Sequence, residues 1–579
     1  MLISHVMRSP DLPAVRQIVA AGLILLALTA CGGGGGEEGD GPTQNRPPVA
    51  GPDSATTLEG QPVTVNVLAN DSDPEGDVLT VSVSVPADFG TGVVNAGGTI
   101  TITPTDEVLG SDYPLTYTLT DAGGLTATGS VRLSVALKRP LLYVADEDAA
   151  NVFALYLGDV VARRRISHVL AAGEQVLDFQ VTAARPVAVY STGTTHPHAL
   201  HLRGLADNAP DAVRVSNPLP AGADIHSWRL SPSGMRVAFV TRDTDNIPQL
   251  HVAALGTPVS VAAVPIATAA NDQIYSITFG GDESDLYFTM QRRVGGVWQS
   301  AIYRARGAAP TSIEPMTGIV QDPLSIGEFV LRPLDVGLVY RGNTANGPQL
   351  LRVDFGVPGS EAVVNEPFTT TPAPGEVRSV VQFAIASDGN QVPHIVNADR
   401  QDSFVSFLSQ PGSARRLNPT VDVSQVGSFL MAPNTQRMLL RVGVVSQGFQ
   451  IGLVDLSSNG AMSYLTQTDI ISGSALAPGG QHAAVTTESI VQLIYLQSTP
   501  YQRRNLEASA QRAFEPRFSE GGRVLAFLDA VDASLAVRRL RVANYAELTP
   551  TRKWTGFDVS VRTPSRGVQS FAFAPLRPY

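Results

Sequence analysis

Apolar and polar residues alternate with a period of two from residue 46 to about residue 136. The runs are Val63-Thr-Val-Asn-Val67, Leu79-Thr-Val-Ser-Val-Ser-Val85, Thr99-Ile-Thr-Ile-Thr103, Leu115-Thr-Tyr-Thr-Leu119 and Val131-Arg-Leu-Ser-Val135. Successive side chains of a strand point to opposite faces, so such runs predict half-buried antiparallel strands. Gly, Pro and Asp between them supply the turns. Several runs within some ninety residues predict a small β-sandwich over 46–136.

Beyond residue 139 the pattern becomes a repeat. A first apolar column reads Phe179, Trp228, Ile277, Phe329, Phe383, Phe429, Ser474, Pro516 and Phe571, and a second lies two residues further on, from Val181 and Leu230 to Phe573. Spacings of 42 to 55 residues indicate a propeller or a solenoid. Each unit adds a second strand such as Val237-Ala-Phe-Val240 and a third such as Gln249-Leu-His-Val252. A fourth follows, as in Met462-Ser-Tyr-Leu465, with no helical stripe between them. Four short strands per unit make a propeller blade. The array opens on a second-type strand, Leu142-Tyr-Val144, and ends on a lone first-type strand, Gln569-Ser-Phe-Ala-Phe573. The predicted fold is therefore all-β: a small sandwich, then a large propeller over 139–579. The ring should have eight or nine four-stranded blades and close by pairing its N- and C-terminal strands.

The N-terminus carries different information. Arg8 and Arg16 precede an apolar stretch from Ile18 to Ala30 that is too short to span a bilayer comfortably. It ends in Leu28-Thr-Ala-Cys31, which resembles the lipobox of bacterial lipoproteins. The resemblance implies that residues 1–31 are a signal peptide, that Cys31 receives a diacylglycerol and that the protein is membrane-anchored through it. Residues 32–45, GGGGGEEGDGPTQN, hold no apolar side chain and read as a flexible tether. At about 5–6 Å × √n its reach is about 20 Å. Gly32 after the Cys lacks the Asp that retains enteric lipoproteins in the inner membrane, which implies an outer-membrane location.

Composition narrows the function. A net charge of −11 argues against nucleic acid, which needs a cationic face. Lys occurs only at 138 and 553, a composition bias of the genome with no binding pattern. Cys31 is the single cysteine, so no intramolecular disulfide or thiolate metal site is available, and stability must come from apolar cores.

Two resemblances refine the domains. Asn45-Arg-Pro-Pro-Val-Ala50, Leu68-Ala-Asn-Asp-Ser-Asp-Pro-Glu-Gly-Asp77 and Tyr117-Thr-Leu-Thr-Asp121 resemble the cadherin-like and immunoglobulin-like repeats of bacterial surface proteins. Asp71, Asp73, Glu75 and Asp77 put four carboxylates in one loop, with Asp121 a possible fifth ligand. That set suits calcium, a hard cation taking several oxygens. The other reading is an Asp-rich turn, since Asp and Gly favour turns anyway. Ser231-Pro-Ser-Gly-Met-Arg-Val-Ala-Phe239 resembles the TolB-type propeller motif, and Leu141-Leu-Tyr-Val-Ala-Asp-Glu-Asp148 the YVTN-type repeat. These motifs identify a fold and leave function open.

Chemistry is sparse. The sequence has no phosphate-binding loop, HExxH, CxxC or GxSxG, and no hydrolase domain is expected after the array. His196-Pro-His198-Ala-Leu-His201 is the one histidine cluster; its spacing could present two imidazoles on one face of a strand to a metal, but no dedicated carboxylate sits nearby in sequence, and an exposed interblade loop is the expected reading. Acidic groups at Asp146/Glu147/Asp148, Asp243/Asp245 and Asp282/Glu283/Asp285 fall in turns. The axis-lining strands are mostly apolar or neutral, Asp178, Arg229, Glu328, Gln382 and Arg517 excepted. The expected function is a non-catalytic platform at the cell envelope for protein or glycan partners. The alternative is a lactonase-like or other metal-assisted hydrolase with its site in the central channel.

Overall fold

Alternation becomes a buried and an exposed face in the strand Gly110–Thr120, where Leu115, Tyr117 and Leu119 are buried and Thr116 is exposed. A computed structural model describes residues 44–573 apart from short segments, the longest being 366–378, 545–556 and 559–567. Cys31, the signal peptide and all but the end of the tether lie outside the described residues. One sheet has the strand order Pro52–Leu58, Thr126–Ala136, Gly110–Thr120, Thr80–Ser84. The other runs Val63–Val65, Ile100–Pro104, Gly90–Val94. Val65, Ile100 and Ile102 of the second sheet pack against Leu115, Tyr117, Leu119 and Leu133 of the first, the buried core of a sandwich.

From Leu141 the strands form nine sheets among the described residues, so nine blades build the ring, the larger of the two expected counts. Blades 2 to 9 each run in chain order from an inner strand outward. Their inner strands are Gln175–Val181, Asp224–Leu230, Gln273–Phe279, Ile326–Leu331, Ser379–Phe383, Val423–Met431, Ile471–Leu476 and Ala513–Phe518. Blade 1 takes its inner strand, Val568–Phe573, from the far end of the array. That strand pairs antiparallel with Leu141–Ala145 and so closes the ring.

Each blade buries an apolar face on both sides, as the apolar columns require. Nine clusters of buried side chains fill the nine junctions between neighbouring blades. The cluster at the closing seam holds Tyr143, Leu528, Val542 and Phe571, and it also takes Leu109 and Leu137 from the sandwich. The sandwich meets the propeller through these packed side chains, and on the short link between them Lys138 N–H donates to Glu59 Oε1 of the sandwich at 3.1 Å.

A register shift interrupts the pairing of every one of the nine inner strands with its neighbour. A bulge adds one residue to one strand and increases the local twist, which turns each blade as it approaches the axis. In several blades a ring on the second strand stacks on its cross-strand partner on the third: Tyr143 on Tyr156, Tyr190 on His201, Phe239 on His251, Phe288 on Tyr303 and His394 on Phe404. This ladder fixes where the third-strand histidines stand.

Candidate functional site

The Tyr190–His201 rung lies where blades 1 and 2 meet. The chain leaves blade 1 after Arg163–Arg165 and returns to the axis at Gln175–Val181, and His168 and Glu174 sit on that connection. His201 comes from the third strand of blade 2, Pro197–Gly204. Among the described residues, these three are the one group of His, Cys, Asp or Glu whose ligand atoms all lie within 4.8 Å of one another. His168 Nε2 is 3.7 Å from Glu174 Oε2, and the His168 and His201 rings lie 4.3 Å apart.

Each donor is oriented by a neighbour. His168 Nδ1 lies 3.0 Å from the Tyr190 hydroxyl, and His201 Nε2 lies 3.2 Å from Thr192 Oγ1. The Ala171 N–H donates to Glu174 Oε2 at 2.9 Å. Burial pushes the Glu174 carboxyl up, but the Thr192 hydroxyl, the Ala171 N–H and the two imidazoles outweigh it and hold the carboxyl below its usual range. Burial first, then His168, holds the His201 imidazole down to about 4, so it is neutral at physiological pH. The result is a half-buried pocket of two imidazoles and a carboxylate, chemistry suited to holding a cation.

The histidine cluster lies largely on the third strand of blade 2 and not in an exposed loop, because Pro197–Gly204 pairs with Val187–Gly193, and of its histidines only His201 belongs to this site. His196 bonds Thr195 at 3.1 Å, and His198 Nδ1 lies 3.4 Å from Ala223 O, on the connection into blade 3. His168 and Glu174 were missed because nothing in linear spacing joins them to His201.

The acidic loop of the sandwich has a different geometry. Asp71 Oδ1 accepts Gly51 N–H at 2.7 Å, and its Oδ2 takes the Tyr117 hydroxyl at 2.9 Å. The same hydroxyl lies 3.1 Å from Asp53, whose carboxyl is pushed up by burial and by the Asp71 charge. Asp73 Oδ1 accepts the N–H groups of Glu75 and Asp77 at 2.9 and 3.0 Å, and Asp121 Oδ1 accepts Leu125 N–H at 2.8 Å. Asp71 thus ties the loop to Tyr117, while Asp73 and Asp121 cap their own turns. The structure does not draw Asp71, Asp73, Glu75, Asp77 and Asp121 into one three-ligand group.

The acidic turns of the propeller serve as caps and latches. Asp243 Oδ1 accepts Asp245 and Ile247 N–H at 3.0 and 2.8 Å. Glu147 takes the Tyr143 hydroxyl at 3.2 Å and lies 3.1 Å from Arg163. Glu283 bonds Ser233 of the preceding blade, and Asp335 accepts Gly281 N–H at 2.6 Å. Near the axis, the Gln382 amide bridges to both N and O of Phe429, and the unsuspected Gln180 does the same to Leu230 N and Trp228 O. Arg517 stacks 5.1 Å over Phe571. A separate cleft of 340 Å³ between blades 4 and 5 is lined by Met316, Phe355, Val357 and Glu361, the last accepting from the Tyr340 hydroxyl.

These features define an all-β protein with an immunoglobulin-like domain followed by a propeller. Residues 45–134 match the bacterial Ig domain family. No curated protein matches the chain. Among solved structures, a crystal structure of the eukaryotic initiation factor is 10% identical, covering 76% of this chain and 98% of its own, at a TM-score of 0.51. A chain from a structural and mechanistic analysis of two prolyl endopeptidases aligns at 10% identity over 68% of this chain and 51% of its own (TM-score 0.39). An oligogalacturonate lyase in complex with manganese aligns at 13% identity over 60% and 93% (TM-score 0.36). At 10% identity the likeness to the initiation factor is one of fold alone.

Proposed function

We propose that this protein is a lipoprotein of the bacterial envelope, anchored through Cys31 in the outer membrane, whose TolB-like propeller is a non-catalytic platform for a protein or glycan partner. The anchor reading is supported by the lipobox and the glycine tether. The observation that carries the platform reading is one rim of the ring, at the turns between inner and second strands. There Ser233–Glu283 and Gly281–Asp335 latch blades 3, 4 and 5 together. The latched turns expose apolar side chains: Leu334 at 92%, Met235 at 49% and Val336 at 47%. Leu334 and Asp335 also have φ of 64° and 51°. Non-glycine residues pay to occupy that left-handed region and hold it where the surroundings fix them. Exposed apolar groups on a braced, polar-rimmed turn favour contact with a partner. Axis-facing glutamines, meanwhile, are committed to joining blades.

Photo-crosslinking side chains placed at Leu334 and Met235 in cells test this. Adducts with an envelope component should form from these positions and not from Val294, in the hairpin at the other end of blade 4. Equal labelling from both ends, or none, overturns the platform reading.

A further inference from the structure

We propose that His168, Glu174 and His201 form a binding site for one divalent transition-metal ion, zinc in particular, at the junction of blades 1 and 2. The inference is independent of the anchoring and platform reading. Zinc takes imidazole nitrogen and carboxylate oxygen at about 2.0–2.2 Å in a tetrahedral arrangement, which sets two ligands roughly 3.3 Å apart. The observed 3.7 Å between His168 Nε2 and Glu174 Oε2 needs only a few tenths of an ångström of closure. Two nitrogens and one oxygen suit zinc and its neighbours in the first transition row; calcium and magnesium take oxygens. Three protein ligands leave a fourth position for solvent, and the His168 and Glu174 side chains retain 29% and 23% of their exposure.

The partners behind the donors also fit. A metal-binding imidazole usually gives its second N–H to an acceptor, which fixes the tautomer. With Nδ1–H of His168 donated to the Tyr190 oxygen, Nε2 keeps its lone pair toward Glu174. Ala171 N–H donates to the same Oε2 that faces His168, which fixes the position of that oxygen.

The next junction of the ring has the same build without the same donors. The connection Ile166–Glu174 into blade 2 and the connection Val215–Ala223 into blade 3 are equivalent position by position. Ser167 and Ser216 accept Leu155 and Leu200 N–H at 3.3 and 3.1 Å. Gly173 and Gly222 turn with φ of 80° and 83°. Glu174 and Ala223 close the same turn onto Ala171 O and Pro220 O. The second- and third-strand partners are kept as well: Thr192 on His201 at 3.2 Å, Thr241 on His251 at 3.0 Å. What differs is the remaining pair of donors and the ring that orients one of them, for Asn217 stands in place of His168, Ala223 in place of Glu174 and Phe239 in place of Tyr190. Blade packing therefore explains the Thr–His pair, which both junctions share. It does not require His168 or Glu174, which complete a ligand set at one junction alone.

The comparison also supplies the test. The double variant His168→Asn, Glu174→Ala gives this junction the neighbouring junction's residues at the two donor positions and should keep the fold. Full-length protein, stripped with chelator, would be dialysed against zinc chloride and its metal content and affinity measured, with cobalt(II) substitution as a spectroscopic probe of geometry. One tightly held zinc per chain is expected in the wild type and in His251→Gln, and its loss in the double variant. Glu174→Gln, a conservative change, should bind at least about tenfold more weakly. Zinc should raise the melting temperature of the wild type and leave that of the double variant unchanged. The site is overturned if the wild type retains no zinc, or if the double variant and Glu174→Gln bind it as the wild type does.

Discussion

Phe571 stands directly opposite Tyr143 across the closing seam, so the two ends of the propeller array meet at one cross-strand pair of buried rings. Both side chains belong to the core shared by blades 9 and 1 and the sandwich residues Leu109 and Leu137.

Phe571 is therefore expected to be critical for stability. Truncating a buried Phe to Ala removes its transfer energy and leaves a cavity, about 3–5 kcal/mol. Against a typical domain stability of about 5–15 kcal/mol that is a large loss. Chemical denaturation of Phe571→Ala should show it, and deletion from Val568 onward should cause earlier melting or aggregation by exposing the Leu141–Ala145 edge. An unchanged melting temperature after deletion would mean the seam contributes nothing.

His394 offers a pH test. Its ring is buried on Phe404, and burial holds its pKa down to about 4 despite the Val392 carbonyl. The unfolded imidazole titrates near 6.5. Between these values the unfolded state binds the proton and the folded state does not, so stability is full above about pH 6.5 and falls as pH drops toward 4. His394→Phe installs the ring type that blades 3, 4 and 9 carry at this register, Phe239, Phe288 and Phe527. Urea midpoints at pH 7 and 5 should differ by less in this variant than in the wild type.

Cys31→Ser should move the protein from the membrane to the soluble fraction, because it removes the thiol that would carry the lipid. Membrane partition unchanged by the substitution would exclude lipid anchoring at this residue.

The acidic loop separates its two readings on calcium. As a turn cap, Asp73 is worth about 1 kcal/mol through its bonds to Glu75 and Asp77, and Asp73→Ala should cost that much with or without calcium. As a calcium ligand it should also make the wild-type melting temperature rise with millimolar calcium, a rise that Asp73→Ala abolishes.

Local pattern was enough for the architecture. Alternation placed the sandwich strands, because the two faces of a strand meet different surroundings. The two apolar columns marked the inner strands in every unit, because each blade must bury both faces. Even the closure was legible, since an array that opens one strand short and ends one strand over leaves two edges that only each other can satisfy. The Tyr117-to-Asp121 and Leu68-to-Asp77 motifs were visible as well, but only the fold set Tyr117 against Asp71.

Tertiary structure decided the rest. The bulge in each inner strand is a matter of register with a neighbour, which one strand's sequence does not encode. His196, His198 and His201 looked like one cluster in the sequence, but strand geometry sent His198 toward Ala223 and His201 toward His168. Glu174 joined them only because two blades pack side by side. Ligand sets form in three dimensions, from side chains that separate strands and connections bring to one point, and no linear spacing records that meeting.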